Sequence, residues 1–545
     1  MLKNDLERMD IEFKDSDVIL GKNLLTNANY LNSSRSLMLG NQLDQVVPLE
    51  HTEIPLYYTN YEYIVGKYSS SYFKSDSNFK VIHKISKFPS KPNAIYILVV
   101  YNNDTGMYDV IERKPGERLT ETYGYKYNND IIDSIEENDV IKKNDVLYHS
   151  TSFNNKLQYG FGVNAVTMYT TDPMTIEDAI VISKSLANKL TSVEYDIVRI
   201  PLNDNDILIN YMGDRHKYKA FPDIGDSVKN SIIAVRRRIA YSQALFDLKE
   251  ENMRKILTTD TEYYVPFAMD TVVDINVYCN KDEDQLNRNK YNEQIMNYYD
   301  NEQDYYKQIV EVLEPIIEKG NYTDELGFIY TNAKKIINPN IKWKDDSNKV
   351  FGNIILEFVV EKKVPVVVGS KLSGRQGDKG IISEIRDDDK MPITEHGVRV
   401  EQIVNILGVG NRLNPAQLNE IEGNFISGEI IRKINATDSM ELKEWLLFEY
   451  LNTIVKGYGD KVKRWYDDLS DVDREGFFEN FKHGGKIYLE EPPMYGNTGI
   501  LDFEEVYDKF KIKPVNVYVE KFGRMIKLLK PFIVAEKYII KLKHH

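Results

Sequence analysis

The stretch that decides the fold runs from Gly369 to Gln417 and reads GSKLSGRQGDKGIISEIRDDDKMPITEHGVRVEQIVNILGVGNRLNPAQ. Glycines stand at positions 369, 374, 377 and 380, and Lys371, Arg375 and Lys379 lie between them. The apolar run Val364–Val368 predicts a strand that leads into this glycine-rich loop. Glycine lets another chain approach the backbone closely, and cations at such points suit a phosphate or a nucleic-acid strand. A pair of ordinary basic surface turns is the alternative, because short motifs often occur by chance.

The second half of the stretch continues the same pattern. Met391–Pro392 and a polar turn at Glu395–Gly397 come first, and an apolar strand is predicted near Ile403–Leu407. The glycines of Gly408–Gly410 then predict a tight turn that presents Arg412. No G-x-x-x-x-G-K-[ST] sequence is present, so a Walker A phosphate loop is excluded.

In this order the motifs resemble the core of the β subunit of multisubunit DNA-dependent RNA polymerases. The family pattern is G-D-K-x-x-G-R-x-G-x-K-G, then M-P, then N-P-L-G-V-P-S-R-M-N. The matching residues here are Gly369, Lys371, Gly374, Arg375, Gly377, Lys379, Gly380, Met391, Pro392, Asn405, Leu407, Gly408, Val409, Arg412 and Asn414. The resemblance implies a mixed α+β, strand-rich fold with a double-psi β-barrel core, a flap-like inserted module and a C-terminal hybrid-binding region.

Bulk composition limits the function classes. The chain has 545 residues, and a single cysteine, Cys279, excludes an intrachain disulfide framework and a zinc site built from cysteines. No run of 18 or more apolar residues predicts a membrane span. The net charge of −14 argues against a free-standing nucleic-acid binder. A subunit of a larger assembly escapes this argument, because only its inner surface needs to be basic.

The segment 34–48 predicts an amphipathic helix. Its expected core positions are Leu37, Met38 and Leu43, with Pro48 as its end. The segment also resembles the family's R-A-L-M-x-x-N-x-Q-R-Q-A-V-P, on which Arg35, Asn41 and Gln45 match. The resemblance implies that Arg35 and Asn41 meet the incoming nucleotide and that Gln45 meets RNA. Asp44 departs from the family, which has Arg there.

Two adjacent carboxylates, Glu177 and Asp178, precede an apolar run. Carboxylates there could begin a helix, where they meet the positive end of the helix dipole. They also match the family's N-x-E-D-A-I-L-I-S element, which implies a place near the second, nucleotide-bound Mg²⁺. Magnesium uses few direct carboxylates together with phosphates and water, so an indirect role is chemically sound.

Five segments are expected along the chain. These are a fork-like or link-like segment at 1–56, the first barrel part at 57–201, a flap-like insert at 202–350, the second barrel part at 351–435 and a hybrid-binding and subunit-contact region at 436–545. The insert should contain a long helix at 285–319, because apolar residues recur there at helical spacing. In the last segment, Asp438–Val455 predicts a helix with Asp438 as its N-cap and Gly457 as its C-terminal stop. His544, in a stretch that resembles Y-M-L-K-L-N-H, is expected either to face RNA or a partner subunit, or to be a solvated chain end.

The three-aspartate signature N-A-D-F-D-G-D of these polymerases does not occur in this sequence. Three carboxylates are needed for metal-ion phosphoryl transfer of this type, so the chain should not polymerise alone. The expected partners are β′-like subunits that hold the catalytic Mg²⁺, a chain with the N-terminal part of β, and a promoter-specificity subunit, together with DNA template, RNA product and NTPs. The family's front half and its D-D-K-x-H-A-R-S ending are not found here, which resembles the split β subunits of giant bacteriophages and implies the host cytoplasm.

The function expected from the resemblance is that of a DNA-directed RNA polymerase, a nucleotidyltransferase. In that role Lys371 and Lys379 would hold the RNA 3′ end, and Arg412 and Arg35 the triphosphate. A non-catalytic β-like scaffold for assembly or promoter binding is one alternative. An unrelated nucleotide-binding enzyme is another, and binding of nucleotide by the purified chain alone would favour it.

Overall fold

The computed structural model describes most of the chain. The described residues are 23–69, 71–88, 95–118, 123–154, 157–203, 205–228, 231–239, 258–265, 270–280, 292–345, 347–351, 353–491, 503–521 and 523–543. Two compact units are present. Unit 1 contains 1–69, 151–192 and 365–545, and unit 2 contains 70–150 and 193–364.

Short strands make up much of both units. In chain order they are β1 (Tyr57–Tyr58), β2 (Tyr72–Lys74), β3 (Phe79–Ser86), β4 (Tyr96–Asn102), β5 (Tyr108–Arg113), β6 (Gly116–Arg118), β7 (Gly124–Asn128), β8 (Val140–Ile141), β9 (Val146–Ser150), β10 (Val163–Tyr169), β11 (Ala179–Ser183), β12 (Ser192–Leu202), β13 (Asp206–Leu208), β14 (Ile232–Ile239), β15 (Thr258–Tyr264), β16 (Thr271–Cys279), β17 (Ile354–Val364), β18 (Lys371–Ser373), β19 (Lys379–Arg386), β20 (Ile393–Thr394), β21 (Gln402–Val404), β22 (Leu489–Glu490), β23 (Val517–Lys521), β24 (Arg524–Lys527) and β25 (Val534–Leu542).

Helices complete the two units. They are α1 (Ser33–Leu43), α2 (Tyr61–Tyr68), α3 (Asp130–Asp133), α4 (Lys184–Lys189), α5 (Glu293–Lys319), α6 (Asp324–Ile336), α7 (Leu407–Asn411), α8 (Ala416–Asn435), α9 (Met440–Ile454), α10 (Tyr458–Asp467), α11 (Asp471–Lys482) and α12 (Phe503–Phe510). Within the described residues, 3₁₀ turns lie at Ala28–Tyr30 and Asp388–Lys390. None of the helices in the described ranges combines the length and the apolarity that a membrane crossing requires.

A closed six-stranded barrel forms the centre of unit 1, in the order β10–β21–β11–β19–β18–β25. The pairs β10–β21 and β11–β19 are parallel, and the other four pairs are antiparallel. Closure leaves the barrel without a free sheet edge. The expected mixed α+β, strand-rich fold is confirmed, and the double-psi connection pattern stays a prediction.

Apolar side chains at alternating strand positions fill the interior of the barrel. Side chains at every second position of a strand point to the same face. Apolar pairs at this spacing, Val163 with Ala165 and Ile180 with Ile182, are buried in one cluster. Leu372 joins them from β18.

Helices α8 to α12 pack around the barrel in unit 1 and form its largest apolar cluster. Helix α8 lies against β25, where Asn424 Nδ2 donates to the Glu536 carbonyl at 2.8 Å. The short sheets β1–β22 and β20–β23–β24 also lie in the described part of this unit.

The described residues of unit 2 form four sheets, β12–β17–β16, β13–β14–β15, β2–β9–β7–β6 and β5–β4–β3–β8. The long helix predicted in the insert is confirmed as α5, and residues 285–291 of that prediction lie outside the described part. Its predicted apolar stripe is also confirmed, since Ile295, Tyr298, Tyr305, Ile309 and Ile316 are buried. The five-segment domain division stays a prediction.

Several local predictions were wrong. Residues 365–368 are not a strand, because β17 ends at Val364 and the chain leaves the sheet there. The predicted turn at Gly408–Gly410 is the short helix α7. Ser439, not Asp438, caps α9 by accepting from the Leu442 amide. Gly457 does not end that helix, but is the N-cap residue of α10 with φ of +80°.

Candidate functional site

The two lysines of the glycine-rich stretch lie on neighbouring barrel strands rather than in a loop. Lys371 opens β18 and Lys379 opens β19, and these strands pair antiparallel with Ser373 opposite Lys379. The intervening residues 374–378 form a tight connection. Strand pairing therefore fixes the backbone from which both cations project.

A polar cleft beside these strands collects most of the predicted site residues. Its lining includes Arg35, Met38, Asn41, Gln42, Gln45, Asp178, Lys371, Gly377, Lys379, Gly380, Ile381 and Arg412. Glu177 lines the adjoining recess, which shares Asp178, Lys379 and Arg412 with the cleft. Residues far apart in sequence thus form one surface, which we call the cation cleft.

Helix α1 forms one wall of the cation cleft. Asn32 caps it by accepting from the Arg35 amide at 2.9 Å. Arg35 and Asn41 of this helix, and Gln45 just after it, all line the same cleft.

The predicted core face of α1 was wrong in part. Leu37 is 71% exposed and Met38 also faces solvent, whereas Leu39 is fully buried. Gln42 is buried as well and accepts a 2.9 Å hydrogen bond from Ser373 Oγ of β18. Burying this polar contact rotates the helix relative to the orientation that apolar spacing alone favours. The helix also ends at Leu43, before Pro48.

At Gly377, the tight connection formed by residues 374–378 comes into contact with α1. The φ of Gly377 is +72°, and a Cβ placed there would lie 3.0 Å from the Arg35 carbonyl oxygen. Arg35 Nη1 donates to the Gly377 carbonyl at 2.9 Å. Both the left-handed backbone and the close approach require glycine at this position.

The two lysines differ in their contacts. Lys379 Nζ donates a 3.1 Å hydrogen bond to Gln45 Oε1. Lys371 Nζ makes no hydrogen bond or ion pair within the described part of the chain, and its side chain is half-buried. Each ammonium group therefore retains donors for an incoming anion, since an ammonium carries three.

Arg412 and Asp178 form an ion pair in the cation cleft, with about a third of each side chain exposed. The helix N-terminus considered for Glu177 and Asp178 was wrong. They lie in a turn before β11, and Glu177 has φ of +54°. Asn405 Nδ2 holds this turn by donating to the Thr175 carbonyl at 2.8 Å.

Arg375 does not belong to the cation cleft, although the sequence places it between the two lysines. Its side chain is fully buried, donates to Glu420 at 2.9 Å and has Glu62 at 3.9 Å. The guanidinium also lies over the Tyr538 ring at 5.3 Å. Through Glu420, Arg375 ties the connection formed by residues 374–378 to helix α8.

Burial shifts the ionisation of this internal network. Desolvation raises the pKa of Glu62 above its ordinary value, although the Arg375 guanidinium opposes the shift. Desolvation alone would lower the pKa of Lys537, but the Asp378 carboxylate and Tyr169 raise it above its ordinary value. Sequence reasoning missed Glu62 and Lys537, because nothing in their local sequence separates a buried charge from a solvated one.

Metal-binding capacity in the described residues is limited. They contain no cluster of three or more acidic, histidine or cysteine side chains that could hold a metal ion. Glu177 and the Asp178 carboxylate, which is paired with Arg412, suit a Mg²⁺ ion whose other ligands are phosphate oxygens and water. His544, predicted to face RNA or solvent, lies outside the described residues.

Comparison with known proteins decides the family. The model of RNA polymerase Rpb2, domain 6, matches residues 105–441, which is more than half of the chain. The chain belongs to this family. The match includes the whole of the stretch 369–417 and every barrel strand except β25, so Lys371 and Lys379 lie within the matched region.

Similar proteins support the same family assignment. The chain is 23% identical to the DNA-directed RNA polymerase subunit beta of Ehrlichia canis over 597 aligned residues, which cover 94% of this chain and 41% of the relative. The subunit of Ehrlichia chaffeensis gives the same figures. Over 90 residues, or 16% of this chain and 7% of the relative, the subunit of Carsonella ruddii is 37% identical. The chain is therefore a β-type RNA polymerase subunit. It spans about two fifths of the length of the Ehrlichia relatives.

Proposed function

We propose that this chain is the C-terminal part of a β-type subunit in a multisubunit DNA-directed RNA polymerase. It would supply cations, rather than the catalytic metal site, to the active centre. One observation carries the proposal: Arg35, Lys371, Lys379 and Arg412 meet in one cleft of a chain that belongs to the Rpb2 domain 6 family.

The cation cleft is suited to a substrate rich in phosphate. Four cationic side chains line it against the carboxylates of Glu177 and Asp178. In RNA synthesis the RNA 3′ hydroxyl attacks the α-phosphorus of the NTP and pyrophosphate leaves. The protein itself forms no covalent bond, so positioning and charge neutralisation dominate catalysis. A cleft with this composition can supply both.

In the proposed division of labour each group has a defined contact. Lys371 and Lys379 hold the RNA 3′ end and its backbone, and Gln45 orients Lys379 toward it. Arg412 and Arg35 hold the triphosphate of the incoming nucleotide. Bound Mg²⁺ would supply charge neutralisation for the triphosphate, with Glu177 and Asp178 beside it and its main ligands on the partner.

The proposal includes partners. A β′-like chain with three aspartates would complete the site, and the resemblance to split β subunits predicts a second chain with the N-terminal part of β. The same resemblance favours a giant-bacteriophage origin, with the host cytoplasm or the virion as the location. DNA template, RNA product and NTPs are the expected ligands.

A non-catalytic β-like scaffold is the second candidate. The tyrosine-rich, acidic chain would then serve assembly or promoter binding. The convergence of cations beside the carboxylates of Glu177 and Asp178 favours catalysis instead, because carboxylates repel the phosphates of promoter DNA but suit a site that takes NTP together with Mg²⁺.

Copurification tests the proposal. The chain, tagged in its native source, should bring down a partner that contains N-A-D-F-D-G-D and should support Mg²⁺-dependent RNA synthesis on a DNA template. A chain that copurifies with such a partner but whose complex makes no RNA would favour the scaffold. A chain that binds and turns over nucleotide alone would contradict both.

A further inference from the structure

The connection between β18 and β19 is held from inside the protein at three of its five residues. Arg375 and Gln376 both donate to the buried Glu420 carboxylate, at 2.9 and 2.6 Å. Asp378 is held separately by Lys537. Of the five, Gly377 faces the cation cleft, and Lys379 comes two positions later.

The contact of Asp378 with Lys537 is a buried ion pair. The side chains are 15% and 1% exposed. Lys537 Nζ also donates to the Tyr169 hydroxyl at 2.8 Å and to Gln417 Oε1 at 3.2 Å, so all three of its protons have acceptors. The other Asp378 oxygen accepts from the Gln376 amide at 3.2 Å.

The space around this pair leaves little freedom. A Cβ on Gly374 would lie 2.6 Å from Asp378 Oδ2 and 2.8 Å from Lys537 Cε. Lys537 lies in the middle of β25, whose neighbours in the closed barrel are β10 and β18. A rigid strand thus fixes a carboxylate that is one peptide bond away from Lys379.

We infer that Lys537 and Asp378 form a positioning pair, which fixes the backbone at Lys379 so that its ammonium group is aimed into the cation cleft. The inference rests on the proposed function of Lys379. Position 378 is unspecified in the pattern G-R-x-G-x-K-G, and 537 precedes the segment that resembles Y-M-L-K-L-N-H. The pair is therefore a feature of this chain that the resemblance does not supply.

Stability alone does not explain such a pair. Desolvation of two charges costs about as much as their attraction returns, so an apolar pair of similar volume would serve the core equally well. An ion pair with full hydrogen bonding instead fixes one geometry. That property matters where a neighbouring side chain must be aimed.

The test compares Asp378→Asn, Lys537→Met and the double variant in the full chain. Amide hydrogen exchange across 375–380 should become at least tenfold faster in each single variant. In the complex purified with the tagged chain, the maximal rate of nucleotide addition should fall roughly 10- to 100-fold, with a smaller change in the KM for NTP. The double variant, which buries no unpaired charge, should regain stability but not the rate.

Unit 2 provides a control, since Lys87 forms ion pairs with Asp274 and Glu302, and the three side chains are 4%, 14% and 10% exposed. Asp274→Asn should destabilise the chain less than Asp378→Asn, because Glu302 still compensates Lys87, and should leave the rate of nucleotide addition unchanged. Equal rate losses in Asp274→Asn and Asp378→Asn would overturn the inference, as would unchanged exchange at 375–380. If the wild-type complex makes no RNA, the proposed function fails, and the exchange measurement alone decides whether the pair fixes the connection.

Discussion

Lys379 Nζ donates a 3.1 Å hydrogen bond to Gln45 Oε1, across 334 positions of sequence. The sequence predicts that each residue faces RNA on a separate motif, one in the glycine-rich stretch and one after the first helix. Their contact shows that the two motifs form one surface. It also gives Lys379 a defined direction before any ligand binds.

Arg412→Lys tests the phosphate contact of the cation cleft. Lysine keeps the charge but loses the planar pair of donors that matches a phosphate. We expect Arg412→Ala to lower kcat/KM for NTP by roughly 10- to 100-fold, which corresponds to about 1.5–3 kcal/mol for a charge-assisted contact, and Arg412→Lys to restore only part of it. Steady-state nucleotide addition measures both. Full activity of Arg412→Ala would mean that its pairing with Asp178 is purely structural.

Gly377→Ala should weaken the docking of α1. Alanine at positive φ costs about 1–2 kcal/mol, and here its Cβ also crowds the Arg35 carbonyl. Gly397→Ala is the matched control, with φ of +80° and nothing within 4 Å. Urea denaturation should show a larger loss for Gly377→Ala, accompanied by faster amide exchange across 33–43. Identical losses would show that the close approach to Arg35 contributes nothing.

Arg375→Met should strongly destabilise the chain. Removing one partner of a buried pair leaves Glu420 and Glu62 uncompensated, which costs about 3–5 kcal/mol. The free energy of unfolding in urea measures the loss. A cost below about 1 kcal/mol, with activity lost instead, would return Arg375 to the group of ligand-binding cations.

Glu62→Gln tests the ionisation of the buried network. Since burial raises the folded-state pKa of Glu62, the folded chain binds a proton more readily than the unfolded chain, whose pKa is about 4.3. The contribution of this group to stability is therefore present at low pH and is lost as pH rises through the folded-state pKa. Relative to wild type, Glu62→Gln should become more stable as pH is raised from about 4.5 to about 7. A difference that stays constant over this range would contradict the shift.

Some of the fold could be predicted because local patterns decide it. The apolar stripe in 285–319 predicts one long helix, and α5 is that helix. The closed order of the barrel could not be predicted from these patterns, because it depends on pairing between strands up to several hundred residues apart.

The site was predictable to the extent that motifs mark it. Motif order places Lys371, Lys379 and Arg412 together, and the structure brings them to one cleft. Their functional roles stay predictions. Arg375 could not be separated from them by sequence, because a buried arginine and a ligand-binding arginine look alike until Glu420 is known to lie beside it.

The prediction of which face of α1 is buried was wrong for a related reason. Apolar spacing places Leu37 and Met38 on the core, but a buried hydrogen bond between Gln42 and Ser373 sets the face. A buried polar group without a hydrogen-bond partner costs more free energy than one exposed leucine, so the Gln42 contact decides which face is buried. The same rotation brings Arg35 to Gly377.

The most direct test compares Lys379→Ala with Lys530→Ala, an exposed lysine outside the cation cleft. Each chain is tagged in its native source, purified with its partners and assayed for Mg²⁺-dependent RNA elongation on a DNA template. We expect both variants to retain the partners, with elongation reduced roughly 10- to 100-fold in Lys379→Ala only, as the loss of a charge-assisted contact of about 1.5–3 kcal/mol requires. Unchanged elongation in Lys379→Ala, or loss of the partners instead of the rate, would contradict a catalytic role for the cation cleft.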